Sequence, residues 1–249
     1  MTVLAAEGLR HAYGERVVVD GIALSVAAGE ILGLVGPNGA GKTTAFRLIA
    51  GIEPLRAGRV TLAGRDVTPF PLEARARAGL GYLPQEPSVF RGLTATENVI
   101  VGLEAAGEAR RQRARRAAEL LEEVGISAAA STRADGLSGG ERRRLEIARL
   151  LALRPRVLLL DEPFTGLDPL AAAGLRSLLR RLAGRGVAVL LTDHNVGVAL
   201  PACDRAVLMV EGRILLAGTA EELAADGKAR EAYLGPLPAL LRPPPGGEG

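Results

Sequence analysis

Unbroken apolar runs punctuate this chain at positions 31–35, 157–160 and 187–191. Runs this short, without polar alternation, predict strands buried on both faces of a parallel sheet. Further strand candidates at 3–9, 17–26 and 59–63 lie between glycine-rich turns. From about 88 to 154 the pattern changes. That stretch is rich in Ala, Leu, Arg and Glu, and Leu145, Ala148, Leu151 and Ala152 recur at helical spacing, which predicts a helix over 141–153. Pro84 and Pro87 mark the boundary. Beyond it, strands and helices alternate to about Gly235. The pattern predicts an α/β fold with a mostly parallel sheet covered on both faces, strands near the N-terminus and an inserted helical part. The expected organisation is one domain over 1–235, with 1–86 and 155–235 as its core and 87–154 as the helical part. Residues 236–249 hold five Pro and three Gly, which predicts a disordered tail.

Candidate chemistry gathers where the apolar runs end. The run at 31–35 leads into Gly36-Pro37-Asn38-Gly39-Ala40-Gly41-Lys42-Thr43, followed by Thr44, and fits G-x-x-x-x-G-K-[ST]. The glycines let the backbone N–H groups curl inward, and the next helix presents its positive end to a phosphate. Lys42 would reach the β and γ phosphates and the Thr43 hydroxyl would hold Mg²⁺. Composition sharpens this reading. Of 31 basic residues only Lys42 and Lys228 are lysine, and a compact ammonium fits a phosphate cradle where a planar guanidinium does not. The run at 157–160 ends in Asp161 and Glu162. Alone these are either a solvated acidic pair or strand-end ligands. Beside a phosphate loop, Asp161 is placed to meet the Mg²⁺ and Glu162 to polarise an attacking water.

Between loop and carboxylates lies Leu137-Ser138-Gly139-Gly140-Glu141. Ser138 and Glu141 have capping-box spacing, so alone the stretch reads as an ordinary capped helix. With two glycines, a helix N-terminus is also an anion site. Beside the other two motifs it resembles the signature sequence of ATP-binding-cassette (ABC) ATPases, and the resemblance covers roughly residues 4–235. It implies a P-loop NTPase core with an antiparallel β subdomain and a helical subdomain. It also implies a homodimer in which Ser138, Gly139, Gly140 and Glu141 of one copy close over the ATP held by the other. Tyr13, by itself as readily a packing residue, takes the place of the aromatic that stacks on adenine. Gln85 takes that of the glutamine that touches Mg²⁺ and water, and Asp168 that of the D-loop residue at the dimer interface. His194 follows the run at 187–191 and resembles the switch histidine that contacts the γ-phosphate. His11 has no such support and reads as a surface residue.

Residues 79–94, 137–149 and 191–196, with Tyr233-Leu234-Gly235, resemble the cytoplasmic ATPases of lipopolysaccharide-export transporters. That resemblance implies integral membrane permease partners, with Phe90 and Arg91 in the groove that takes their coupling helices. Branched-chain amino-acid importer ATPases, which also tend to end in Tyr-Leu-Gly, are the alternative. Soluble cassette ATPases usually carry two cassettes or a long coiled-coil insertion, and this chain has neither. With 31 basic and 28 acidic residues, net charge does not suggest nucleic acid as a partner. A single cysteine, Cys203, excludes an intrachain disulfide and reads as a small buried apolar residue. No apolar run is long enough to span a bilayer. The expected location is therefore cytoplasmic, peripheral on the inner membrane through the permease. The arginines at 110, 111, 113, 115 and 116 read as a solvated helix face or, alternatively, as a contact for anionic lipid.

Overall fold

The structure, a computed structural model, describes residues 1–226. The expectations for Tyr233-Leu234-Gly235 and for the tail lie outside the described residues. β1 (Thr2–Tyr13) and β2 (Arg16–Ala27) form a hairpin, and β3 (Ile31–Val35) then runs into α1 (Lys42–Ala50). β4 (Ala57–Leu62) and β5 (Arg65–Asp66) follow, then α2 (Leu72–Arg77) and β6 (Leu80–Leu83). Three helices come next: α3 (Ala95–Ala105), α4 (Arg110–Glu123) and α5 (Gly139–Leu151). β7 (Val157–Asp161), α6 (Pro169–Gly184), β8 (Ala188–Asp193), the single turn α7 (Val196–Ala199), β9 (Arg205–Val210), β10 (Arg213–Gly218) and α8 (Ala220–Ala225) complete the described chain.

The strands form two sheets. One is antiparallel, ordered β2-β1-β4-β5; the other is ordered β10-β9-β3-β8-β7-β6. In the second, β9, β3, β8, β7 and β6 pair in parallel, and only β10 is antiparallel to its neighbour. All five residues of β3 and of β7 are buried. Successive β7 residues serve opposite faces: Val157 and Leu159 pack towards the antiparallel sheet and α1, Leu158 and Leu160 towards α5 and α6. Two-sided burial explains why these strands read as unbroken apolar runs.

The helix expected over 141–153 begins two residues earlier. Ser138 is its N-cap, so Gly139 and Gly140 form its first turn, and Glu141 completes a capping box. Arg75 was not singled out by sequence reasoning. It is almost fully buried, and its guanidinium donates to the carbonyls of Leu48, Ile49, Thr68 and Phe70. It thereby satisfies the last carbonyls of α1, a helix end that otherwise leaves such groups unpaired. Cys203 is buried, and burial pushes its thiol up to about 12. The arginines of α4 are partly tied down locally, Arg115 and Arg116 to Glu119 and Arg113 to Glu104. Among the described residues no helix is long and apolar enough to cross a membrane.

Candidate active site

The phosphate loop is shaped by close backbone approach. Gly41 is the N-cap of α1 at φ 99°, and a Cβ there would lie 2.4 Å from the Val18 carbonyl. That carbonyl comes from an irregularity in the β1–β2 ladder, where Ala12 pairs with Val17 and His11 with Val19. α1 has no side-chain cap and no acidic residue in its first turn. By contrast α3, α5 and α8 carry capping boxes and Asp168 caps α6. The uncapped first-turn N–H groups of α1 remain for an anion. Lys42 lies over the loop and donates to the carbonyls of Gly36 (2.7 Å) and Pro37 (2.9 Å). Burial lowers its pKa, while the charges of Glu162, Asp161 and Asp193 act the other way.

The carboxylates stand at the carboxyl ends of β7 and β8. Asp161 Oδ1 accepts from the Thr192 hydroxyl at 2.7 Å, whereas Oδ2 is buried without a partner. Burial pushes the Asp161 carboxyl up, the nearby Glu162 charge adds to this, and Thr192, Thr43 and Lys42 oppose it. Asp193 is also pushed up by burial, with Oδ2 unpartnered. Glu162 occupies the left-handed region at φ 46°, uncommon for a residue with a Cβ. Its amide N–H is held by the Thr192 carbonyl and hydroxyl at 3.1 and 3.2 Å. Three side chains meet its Oε2: Gln85 Nε2 at 3.0 Å, the Thr165 hydroxyl at 3.1 Å and His194 Nδ1 at 3.1 Å. A carboxylate can only accept, so the His194 proton sits on Nδ1. Gln85 and His194, read separately from sequence, thus lie on one oxygen of Glu162.

Tyr13, Asn38, Gly39, Gly41, Lys42, Thr43, Thr44 and Glu162 line one cleft of about 340 Å³. Arg16 and Val18 complete its wall, and sequence reading missed both. Tyr13 is 47% exposed there. None of residues 138–141 lines this cleft. Ser138 donates to Glu141 Oε2 through its backbone N–H (2.9 Å) and its hydroxyl (2.7 Å), and the Glu141 N–H returns to Ser138 Oγ. The N–H groups of Gly139 and Gly140 take no part in that cap. Gly140 packs so closely on α6 that a Cβ would lie 2.9 Å from the Ala171 Cβ, which keeps this turn next to Asp168. Asp168 itself accepts from the Ala171 N–H at 2.9 Å.

Phe90 is 45% exposed, with the Arg149 guanidinium 4.6 Å from its ring centre. Its backbone is clamped by the buried Asn98 amide, which accepts from the Phe90 N–H and donates to its carbonyl. The Arg91 carbonyl accepts from the Asp135 N–H. Two further residues escaped sequence reading: Arg143 and Glu146, a buried ion pair at 3.0 Å on the inner face of α5. Their signal was there, because 143, 147 and 151 form one stripe of the helix and a charge on it demands a partner. The Arg143 guanidinium also donates to the carbonyls of Glu162, Pro163 and Pro84. His11 corrects another expectation. It is buried, not at the surface, because Nδ1 lies 3.0 Å from the Pro54 carbonyl and its ring packs on Tyr13.

A backbone cradle at the carboxyl ends of parallel strands, with a lysine inside it and an unpartnered carboxylate beside it, is the phosphate site of P-loop nucleoside triphosphatases. A family model described as ABC transporter matches residues 19–165. This chain belongs to the ABC transporter family, as one of its ATP-binding-cassette ATPases. The "Lipopolysaccharide export system ATP-binding protein LptB" of Acidithiobacillus ferridurans is 47% identical over 233 residues, covering 94% of this chain and 97% of that protein. The protein of the same name from Escherichia coli (strain K12) is 44% identical over 236 residues, covering 94% and 98%. Among solved structures, the ADP conformation of MJ1267, an ATP-binding cassette of an ABC transporter, superposes with a TM-score of 0.86 at 28% identity. It covers 94% of this chain and 99% of that one.

Proposed function

We propose that this chain is the ATP-hydrolysing subunit of a lipopolysaccharide exporter, working as two copies beneath integral membrane subunits. The convergence of Gln85, Thr165 and His194 on Glu162 Oε2, next to the phosphate loop, carries the hydrolytic part. The near full-length identity to proteins named for lipopolysaccharide export supports the substrate. In this reading the backbone N–H groups within residues 38–44 and the Lys42 ammonium hold the β and γ phosphates, and Tyr13 stacks on the base. Asp161 and Thr43 fit Mg²⁺, because the buried, unpartnered Oδ2 of Asp161 suits a hard cation. When bound, that ion neutralises phosphate charge.

Glu162 orients a water and takes its proton as the water oxygen bonds the γ-phosphorus and the bond to ADP breaks. Gln85 and His194 hold the Glu162 carboxylate in place, and Lys42 and His194 steady the developing phosphate charge. The uncommitted N–H groups of Gly139 and Gly140 lie outside the copy's own cleft, which supports their closing over ATP held by a second copy, with Asp168 at the same interface. Preference of ATP for that closed pair supplies the free energy that moves the partner. Phe90, fixed by Asn98 and covered by Arg149, supports a docking site for a membrane-subunit helix, with Arg91 beside it. The test is co-expression with the membrane subunits of a lipopolysaccharide exporter, followed by ATP-driven lipopolysaccharide release from proteoliposomes. Release that needs this chain, and Phe90→Ala failing to co-purify, are the expected results. Assembly with amino-acid permeases and no release would sink the reading.

A further inference from the structure

We propose that His11 is a positioning residue for nucleotide-base recognition: it holds the Tyr13 ring in the orientation the base meets. This rests on the reading of Tyr13 as the base platform. His11 is only 6% exposed although it sits on β1 beside the cleft. Its ring stands edge-to-face against Tyr13, with centres 4.7 Å apart and planes at 76°. Its Nδ1 is 3.0 Å from the Pro54 carbonyl. A carbonyl only accepts, so the proton is on Nδ1, and that bond fixes the imidazole's rotation. Pro54 belongs to the segment that leaves α1, and this segment is itself tied back, with the N–H groups of Ile52 and Glu53 reaching the Arg47 carbonyl and that of Arg56 the Arg10 carbonyl. The chain of contact therefore runs from the phosphate-loop helix through Pro54 and His11 to the Tyr13 ring. Nε2 is buried without a hydrogen-bond partner among the described residues, which costs free energy. A phenylalanine would pack the same ring without that cost but would lose the anchor to Pro54.

An exposed tyrosine without such a neighbour would sample several rotamers, and a base stacking on it would have to select one. An edge-to-face pair of this kind corresponds to about a two- to ten-fold gain in affinity when it removes that selection. The test measures equilibrium binding of ATP and of inorganic tripolyphosphate, which has no base, to the full chain and to H11A, H11F, Y13A and H11A/Y13A. Y13A should weaken ATP and leave tripolyphosphate unchanged. H11A should weaken ATP about two- to ten-fold, again sparing tripolyphosphate, and should add nothing in the Y13A background. H11F should fall between H11A and the parent, since it keeps the ring and loses the anchor. ATP affinity unchanged in H11A while Y13A weakens it overturns the role of His11 and leaves the base platform standing. Equal weakening of ATP and tripolyphosphate in H11A overturns it too, because the residue would then act on the loop helix. If Y13A itself binds ATP normally, platform and positioning residue fall together.

Discussion

Arg143→Met is the sharpest probe of how the helical part is tied to the catalytic strand. The guanidinium pairs with Glu146 at 3.0 Å in near-complete burial and donates to the carbonyls of Glu162, Pro163 and Pro84. Methionine fills similar space but leaves the Glu146 carboxylate buried, held only by the Ser88 N–H and hydroxyl. Stranding one member of a buried pair costs about 3–5 kcal/mol. For a chain of this size each kcal/mol lowers the melting temperature by about 2–4 °C, so the drop should be about 6–20 °C. A second substitution separates stability from catalysis. In R143M/E146L the pair is replaced by apolar groups, which is close to neutral in stability, so most of the melting temperature should return. The carbonyls of Glu162 and Pro84 still lack their donor, so the strained turn at Glu162 and the segment before Gln85 stay loose. ATPase kcat should therefore remain well below the parent's at 25 °C, where the double variant is folded. Circular-dichroism melts and steady-state phosphate release, run side by side, make the comparison. R143M melting within about 1 °C of the parent, or R143M/E146L recovering full kcat, would refute the reasoning.

Glu162→Gln keeps the shape that Gln85, Thr165 and His194 surround but cannot take a proton. ATP affinity should hold while kcat falls by about 10²–10⁴, and brisk turnover in a phosphate-release assay would count against Glu162 as the base. Ser138→Arg in the E162Q background should leave ATP binding intact and prevent ATP-dependent dimerisation, as read by analytical ultracentrifugation. A dimer that persists would remove residues 138–141 from the shared site. Asp161→Asn should lose activity yet melt higher at pH 7, because it removes a buried carboxylate whose Oδ2 has no partner. The sign follows from the raised pKa: the folded parent takes up its proton at higher pH than the unfolded chain, so its stability should rise as pH falls through that raised value towards 3.8. The Asp161→Asn variant should lack this contribution, and a lower melting temperature for it at pH 7 would contradict the account.

Sequence reasoning reached what periodicity and spacing encode. β3, β7 and β8 were legible because two-sided burial leaves no polar positions, and α5 because Ser138 and Glu141 are spaced for a cap. It failed where the decisive fact is a long-range partner. His11 looks like a surface residue until the Pro54 carbonyl, 43 positions away, is brought against its Nδ1. Arg75 gives no signal in the sequence, because its role is to donate to the Leu48 and Ile49 carbonyls at the end of α1, more than 25 positions away. Thr192 reaches Asp161, 31 positions away, only through the packing of strand ends, whereas Thr165 meets Glu162 across a local turn that sequence reasoning did not single out. Arg16 differs, since an arginine three residues after Tyr13 could have been tied to the same cleft once the hairpin turn between them was recognised.

The electrostatics of the cleft decide what can enter it. Asp161, Glu162 and Asp193 all act on Lys42, so three carboxylates face one ammonium, and burial weakens that ammonium's hold on its proton. Taken alone this arrangement repels a polyphosphate. The opposing attraction comes from fixed dipoles, the uncapped N–H groups of α1 and the loop, which concentrate partial positive charge at one end of the cleft. Glu162 lines the cleft with Lys42, while Asp161 and Asp193 stand at the ends of β7 and β8, each with a buried oxygen without any partner. Phosphate and dipole match at the loop; phosphate and carboxylate clash at the strand ends. In the proposed reading, a cation between them would remove the clash and satisfy the unpartnered oxygens together. On the same reading this charge layout suits a metal–nucleotide complex better than a free nucleotide.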